Sequence, residues 1–476
     1  DRLDFSCAVF DADGALCAQA AHIPVHLGSM AYAMRDIIGG LEWAEGDTVI
    51  VNDPYLGGTH LPDVTVITPL FVAGERIGFV ANRAHHADIG AAAPGSMPLS
   101  RSLEEEGLVI PPTRLVRAGE LDEAVLQRLM AATRNAPEVR GDFTAQVSAN
   151  RAGAERLRHL IRTIGPEAYC EALAALNDYA ERLARTTVAG IPDGRYRFRD
   201  FLDDDGAGGE DLPIAVTVVV EGETATVDFE GTAEQAAGNV NCPLSVAAAA
   251  VYYFFRCLMP PQTPASDGSL RPIAIRAPQG CLVNARRPAA VAAGNVETSS
   301  RVVDAVAGAL AKALPEAVPA ASHGSMNNLA MGARGARDWD YYETMGGGMG
   351  AGARGGGLDG VQTHMTNTRN TPIEALEMAY PLRVVRYALR TGSGGAGRRR
   401  GGDGLVREFE FLTPAQVTLL TERRRHAPWG LAGGAPGRPG ENRLNGELLP
   451  GKAQFDVQAG DRLTVASAGG GGFGRD

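Results

Sequence analysis

No stretch of this 476-residue chain approaches the roughly 18 uninterrupted apolar residues that a bilayer-spanning helix needs, and its first residues lack the apolar run of a secretion signal. A soluble, cytoplasmic protein is therefore expected. Cysteine is sparse: six residues, at 7, 17, 170, 242, 257 and 281, with no CxxC spacing. That argues against a disulfide framework or a zinc ribbon and fits buried, reduced thiols. Basic charge is also short, with 45 Lys and Arg against 56 Asp and Glu and a net charge of −11, which disfavours a general nucleic-acid or anionic-membrane surface. The single basic run, Arg398-Arg399-Arg400, lies among glycines and reads as a solvated loop. Finally, no GxxxxGK[ST] sequence occurs; Gly451-Lys452 is followed by Ala453-Gln454, so a phosphate-cradling loop is not expected on this chain.

What is abundant is glycine, at 60 residues about 13% of the chain against about 7% in ordinary proteins. The excess is concentrated from Gly346 onward without a G-X-Y period, which excludes collagen; Gly346-Gly347-Gly348 reads as a site of close backbone packing or tight turns. The length allows two or three domains. Apolar alternation and turn residues predict a hairpin over Phe5–Phe10 and Ala15–Gln19, and a helix over Ala31–Ile38 stopped by Gly39-Gly40. Residues 119–188 read as mostly helical with a break at Pro137, residues 195–230 as strands, Leu244–Leu258 and Thr298–Leu314 as helices, and the tail from Val406 as short strands with glycine turns. The expected class is mixed α/β (α+β) and multidomain: an N-terminal α/β region with a metal site (1–118), a helical region (119–194), a central α/β region (195–405) and a β-rich, Gly-rich C-terminal region (406–476).

The chain is organised around residues 47–90. Two β-branched runs, Val64–Val72 and Ile77–Ala81, flank Ala73-Gly74-Glu75-Arg76 and predict an antiparallel hairpin. With the turn centred between Gly74 and Glu75, Asp63 falls opposite His86 and Val64 opposite His85, to within a residue. A further strand, Asp47–Val51, precedes Asn52-Asp53-Pro54, and Pro54 with Gly57-Gly58 makes an irregular loop that delivers His60; Pro62 argues against a helix there. His60, Asp63 and His85 thus gather at one end of the hairpin, and a metal centre is the natural use of two imidazoles and a carboxylate. The alternatives are a hydrogen-bonded structural histidine, or His86 or Asp88 as the functional member of Ala84-His85-His86-Ala87-Asp88.

Asn52-Asp53-Pro54-Tyr55-Leu56-Gly57-Gly58-Thr59-His60-Leu61-Pro62-Asp63 resembles the hydantoinase B / oxoprolinase family. That family groups the B subunits of ATP-dependent hydantoinases, the C-terminal half of 5-oxoprolinases, caprolactamase, and subunits of acetone and acetophenone carboxylases. The likeness recurs in Asp4-Phe5-Ser6-Cys7-Ala8, in His22 to Met30, in Asn82 to Gly90, and in Gly294-Asn295-Val296-Glu297-Thr298-Ser299. It continues in Gly324 to Asn328, Tyr342-Glu343-Thr344, Met365 to Glu374, Arg400 to Gly404, Pro428 to Leu431 and Gly469 to Gly474. Relatives carry a further, largely helical segment before the Asp4-Phe5-Ser6 motif, which this sequence does not show.

The resemblance implies a metal held by His60, Asp63 and His85, joined by an acidic residue for which Asp4 is the better match and Asp11 the weaker. The same donor set suits Zn, Mn, Fe or Co. It also implies an ATP-dependent cyclic amidohydrolase (EC 3.5.2 class) acting on hydantoin, 5-oxoproline or a lactam in a hetero-oligomer, with ATP and Mg bound by an A-type ATPase subunit that phosphorylates the amide oxygen. A B-type subunit of a ketone carboxylase is the alternative within the family, and a noncatalytic scaffold for the ATPase the alternative outside enzymes. Glu106, His26, Glu297, Asn327 and Arg369 are placed near the active site or the subunit interface, with Glu297 read as an electrostatic group at a helix N-terminus and Arg369 with Asp403 as a structural ion pair.

Overall fold

The computed structural model describes residues 3–21, 23–335 and 338–475. His22, the first residue of one matching stretch, lies outside the described residues.

The first sheet is antiparallel and seven-stranded. Its strands are β1 (Phe5–Asp11), β2 (Leu16–Ala21), β3 (Thr48–Val51), β4 (Asp63–Val72), β5 (Glu75–His85), β6 (Thr113–Arg117) and β7 (Glu120–Leu121), in the order β2-β1-β5-β4-β3-β6-β7. Helix α1 (Pro24–Gly39) covers one face, where Met30, Met34 and Ile37 meet Phe10, Ile67 and Phe79. The other face is covered by α3 (Ala136–Ile164), whose Val139, Phe143 and Val147 meet Val64 and Val66. Burial on both faces explains why β4 reads as a continuous apolar run and not as an alternation.

The β4–β5 hairpin has the predicted pairing with a different register: Asp63 opposes His85, and Val64 opposes Ala84. Ala73 and Gly74 both have positive φ, at 52° and 84°, so the connection is a two-residue type I′ turn one position earlier than expected. A register shift between Leu70 and Phe71 then makes up part of the difference.

Helices α2 (Glu123–Ala131), α3 and α4 (Pro166–Ala189) form the helical middle. The break expected at Pro137 falls just before it, between Ala131 and Ala136, and Pro137 itself sits in the first turn of α3, where its missing N–H costs nothing. Next comes a four-stranded sheet, ordered β11-β10-β9-β8, of β8 (Gly194–Asp204), β9 (Glu210–Glu221), β10 (Thr224–Asp228) and β11 (Ile273–Arg276). Its Val216, Val218 and Val227 share one core with α5 (Leu244–Leu258) and α6 (Ser299–Leu310).

The rest is β-rich. Strands β12 (Asn328–Ala333) and β13 (Trp339–Glu343) are followed by helix α7 (Ile373–Ala379) and by β14 (Leu382–Arg390), β15 (Gly404–Phe411) and β16 (Ala415–Leu420). The last strands are β17 (Glu441–Leu444), β18 (Glu447–Leu449), β19 (Lys452–Val457) and β20 (Arg462–Ala466). They form two sheets, β13-β12-β16-β19 and β14-β15-β20-β17-β18, and Leu329, Met331, Val417 and Leu419 of the first share one core with Phe409, Phe411, Leu463 and Val465 of the second. The glycine-rich segments form no sheet but lie side by side: Gly402 N donates to Met349 O, Gly470 N to Gly402 O and Gly395 N to Gly470 O, each at 2.9 Å. The close-packing role read for Gly346-Gly347-Gly348 holds: a Cβ on Gly348 would stand 2.0 Å from Gly402 O. Among the described residues no helix is long and apolar enough to cross a membrane.

Candidate metal centre

The loop between β3 and β4 is held from several sides. Asn52 accepts from Ile110 N at 2.7 Å and donates to Leu61 O and Leu108 O at 2.8 and 2.9 Å. Ser245, at the start of α5, donates to Gly58 O at 2.7 Å. Gly57 has φ 91°, and a Cβ there would lie 1.8 Å from the Ala33 side chain, so only glycine lets the loop close onto α1. Buried Arg83 ties hairpin, helix and loop together, donating to Thr65 Oγ1, Ser29 Oγ and Gly57 O at 2.8, 2.7 and 3.2 Å; burial lowers its pKa to about 10.

This scaffold brings His60, Asp63 and His85 together, with one ligand atom from each lying within 4.8 Å of the others. His60 and Asp63 are fully buried. His60 Nε2 lies 3.2 Å from Asp63 Oδ1 outside hydrogen-bond alignment, and neither ring nitrogen of His60 has a hydrogen-bond partner among the described residues. Buried imidazole nitrogens left so are costly unless a further group satisfies them. The other carboxylate oxygen, Asp63 Oδ2, is occupied: Thr59 Oγ1 donates to it at 2.5 Å, His26 Nε2 lies at 3.3 Å and Asn295 Nδ2 at 3.4 Å. Oδ1 is thereby left toward His60. Two imidazoles and a carboxylate, oriented by outer partners and with the nitrogens of His60 unsatisfied, fit a divalent metal.

Burial pushes the Asp63 carboxyl up, but His60 and His26 outweigh it and hold it well below the usual range. Burial likewise pushes His60 down, and the Asp63 carboxylate more than reverses this. Glu106 is different. Its Oε1 accepts from Ser100 Oγ and from the backbone N–H of Val291 and Ala292, all at 2.8 Å, while Oε2 is buried without a partner among the described residues. Burial raises its pKa to about 7 against these donors and the charge of His60.

The other sequence-singled residues are placed as follows. The Asp4 carbonyl accepts from His85 N–H at 3.1 Å, and its carboxylate acts on the charge of His60; its side chain is not one of the three that converge within 4.8 Å. Asp11 sits at the opposite end of β1, opposite Gly78, capping the turn to β2. His86 faces α3, with Nε2 2.8 Å from Gln146 Oε1, and Asp88 accepts from Gly90 N, Ser96 Oγ and Arg134 N. Asp403 pairs with Arg400 and not with Arg369, which is exposed. Glu297 lies in the turn before α6 but accepts from Met326 N and Asn328 Nδ2 and not from its own helix. His26, read as lying near the active site or the subunit interface, meets Asp63 at the centre; Thr59, Arg83 and the ring of Tyr342, which stacks on His85 at 4.6 Å and 8°, were missed. The stretches around all four were singled out; what they touch is set by tertiary packing.

A model of the hydantoinase B/oxoprolinase family matches residues 1–476. The chain belongs to this family. It is 40% identical over 508 residues to 5-oxoprolinase 1 of Arabidopsis thaliana, an alignment that covers all of this chain and 39% of that protein. An uncharacterized protein of Methanocaldococcus jannaschii is 39% identical over 489 residues, with 85% of its length covered. The chain thus spans about two fifths of the plant oxoprolinase and most of the archaeal family member. The crystal structure of ATP-dependent caprolactamase from Pseudomonas jessenii superposes with a TM-score of 0.92 at 30% identity, covering all of this chain and 85% of that one.

Proposed function

We propose that this chain is the metal-bearing B-type component of an ATP-dependent cyclic amidohydrolase, opening a hydantoin, 5-oxoproline or lactam ring in the cytoplasm. It works with an A-type subunit that binds ATP and Mg²⁺ and phosphorylates the amide oxygen. One observation carries the reading: the cluster of buried His60 and Asp63 with half-buried His85, and its unsatisfied His60 nitrogens, in a chain of this family. Asp4, which bonds the backbone of His85, is the proposed fourth ligand. A bound Zn, Mn, Fe or Co ion supplies a Lewis acid and lowers the pKa of water.

The chain's own residues do the rest. Thr59, His26 and Asn295 engage Asp63 Oδ2 and fix the direction of Oδ1. Tyr342 fixes the plane of His85 by stacking. Glu106, whose pKa burial raises to about 7, is divided between acid and carboxylate at neutral pH and so can both give up and take back a proton, which suits transfer to a leaving nitrogen.

The test is an assay of the complex with its A-type partner, ATP and Mg²⁺, following ADP release and ring opening with hydantoin, 5-oxoproline and caprolactam, beside acetone or acetophenone with bicarbonate. Metal content is read on wild type and on His60→Ala. Ring opening that disappears together with the metal in the variant is expected. Bicarbonate-dependent turnover of a ketone would replace hydrolysis with carboxylation, and an active, metal-free variant would reduce the chain to a scaffold.

A further inference from the structure

A hydrogen-bonded line from Glu297 through Asn328 to Tyr342 ends in a ring that stacks on a proposed ligand. Glu297 Oε1 accepts from Met326 N at 3.1 Å and from Asn328 Nδ2 at 2.9 Å. The Asn328 amide also donates to Leu420 O at 3.3 Å, so its NH₂ is committed to two acceptors. Its oxygen therefore faces the other way and accepts from the Tyr342 hydroxyl at 2.5 Å. The Tyr342 ring lies nearly parallel to the His85 imidazole. All three relay residues are buried, at 0, 1 and 2% exposure for Glu297, Asn328 and Tyr342.

We infer that Glu297, acting through Asn328 and Tyr342, sets the plane of the His85 imidazole and so positions a ligand of the proposed metal. The inference rests on the metal-centre reading above. The torsion that turns an imidazole is soft, so a stacked neighbour decides the plane. Tyr342 can hold that plane only while its hydroxyl is anchored. Were the Asn328 amide reversed, its oxygen would face the Glu297 oxygen and its NH₂ would face the Tyr342 hydroxyl; Glu297 forbids this. Burial, followed by the nearby Glu422 charge, raises the Glu297 pKa to about 8, so at neutral pH the acceptor is a neutral carboxyl, which glutamine can imitate.

The experiment titrates the metal-free chain with Co²⁺ and records its visible d–d bands and dissociation constant, with thermal unfolding as a check on folding. Glu297→Ala is expected to shift the bands and weaken binding about 10- to 100-fold, the usual loss when the outer partner of a metal ligand is removed. Glu297→Gln keeps the acceptor and should bind within about 3-fold of wild type with its spectrum. Tyr342→Phe, which removes one oxygen, should shift the bands as Glu297→Ala does. Wild-type bands and affinity in both Glu297→Ala and Tyr342→Phe would overturn the positioning role while leaving the metal centre standing, as would Glu297→Gln behaving like Glu297→Ala. If Glu297→Ala does not fold, Tyr342→Phe decides alone. A folded wild-type chain that takes up no Co²⁺ would refute the metal reading and this inference with it.

Discussion

Gly402 is where one methyl group should do most damage. It lies in the bundle of extended segments that joins residues 346–351, 393–404, 428–437 and 468–474, donating to Met349 O and accepting from Gly470 N. A Cβ on Gly402 would stand 1.9 Å from Leu358 O and 2.5 Å from Leu358 C. Carbon–oxygen contacts settle at about 3.3 Å or more, so one backbone has to retreat by more than about 1 Å. That movement breaks or stretches two buried hydrogen bonds, each worth about 1 kcal/mol net and about 1–3 kcal/mol where a partner is left unsatisfied. Gly402→Ala should therefore destabilise by about 3–5 kcal/mol, within the range of large single-residue effects. The contrast is Gly141→Ala, exposed on α3 with no atom within 4 Å of the added Cβ. There alanine is the better helix former, and the change should stabilise by up to about 1 kcal/mol. Thermal unfolding gives the order of the midpoints, and hydrogen exchange at the amides of Gly395, Gly402 and Gly470 shows whether the loss is local to the bundle. A Gly402→Ala protein with wild-type midpoint and wild-type protection at those amides would refute the packing argument.

Two further outcomes follow from buried charge. Arg423 donates to Asp200 Oδ2 at 2.9 Å and to Asp304 Oδ2 at 2.5 Å, and Arg423→Met should cost about 3–5 kcal/mol near neutral pH because two buried carboxylates lose the guanidinium they share. Burial raises the Asp304 carboxyl, but Arg423 and His364 override it and depress its pKa, so the stability it contributes is present above pH 3.8 and lost in acid. The Arg423→Met deficit in urea unfolding should accordingly shrink below about pH 4; a deficit that is constant with pH would contradict this. The second concerns Glu297, whose pKa is raised from 4.5 to about 8 with Glu422, Lys452 and Arg424 around it. The folded chain holds this proton where the unfolded chain has released it, so the contribution is full below pH 4.5 and lost as pH rises toward 8. In the metal-free chain Glu297→Gln should flatten the fall of stability with pH, by at most about 1.4 kcal/mol per pH unit, leaving the part due to Glu106; an unchanged slope would count against a proton on Glu297.

Local pattern carried much of this fold. Leu244–Leu258 is helical with the bounds read from its apolar run, and the tail from Val406 holds short strands as read, Arg462–Ala466 among them. The hairpin was legible because β-branched runs flank a turn dipeptide, but its register was not: that depends on the positive φ of Ala73, a conformation alanine seldom adopts, and on the irregularity after Leu70. Strands β12, β13 and β14 escaped notice. Asn328–Ala333, NLAMGA, is poor in β-branched residues and is a strand because β13 and β16 flank it, an instance of context overriding propensity. At the site, His60, Asp63 and His85 could be gathered by one hairpin and its preceding loop. His26 and Tyr342 reach it from α1 and β13, and no periodicity within a segment encodes a contact between such distant segments.

The buried carboxylates divide by the kind of partner each has been given. Asp304 meets Arg423, and Glu343 accepts from Arg407 at 2.8 Å; these are paired with guanidinium groups inside the core, where breaking the pair is costly. Glu106 and Glu297 take their hydrogen bonds from backbone N–H groups, a hydroxyl and an amide, and their pKa values rise to about 7 and about 8. Both lean on the candidate centre, Glu106 through the charge of His60 and Glu297 through Asn328, Tyr342 and His85. Were they ionised, two more negative charges would bear on a site that already holds Asp63, with burial opposing each charge more strongly than Lys452 and Arg424 near Glu297, or His60 near Glu106, favour it. In their neutral forms they supply hydrogen-bond geometry without charge, and the charge balance around His60 and His85 is then left to Asp63 and the neighbouring Asp4. A cation arriving there would favour ionised Glu106 over its neutral form, which couples the proton on that carboxyl to occupancy of the site.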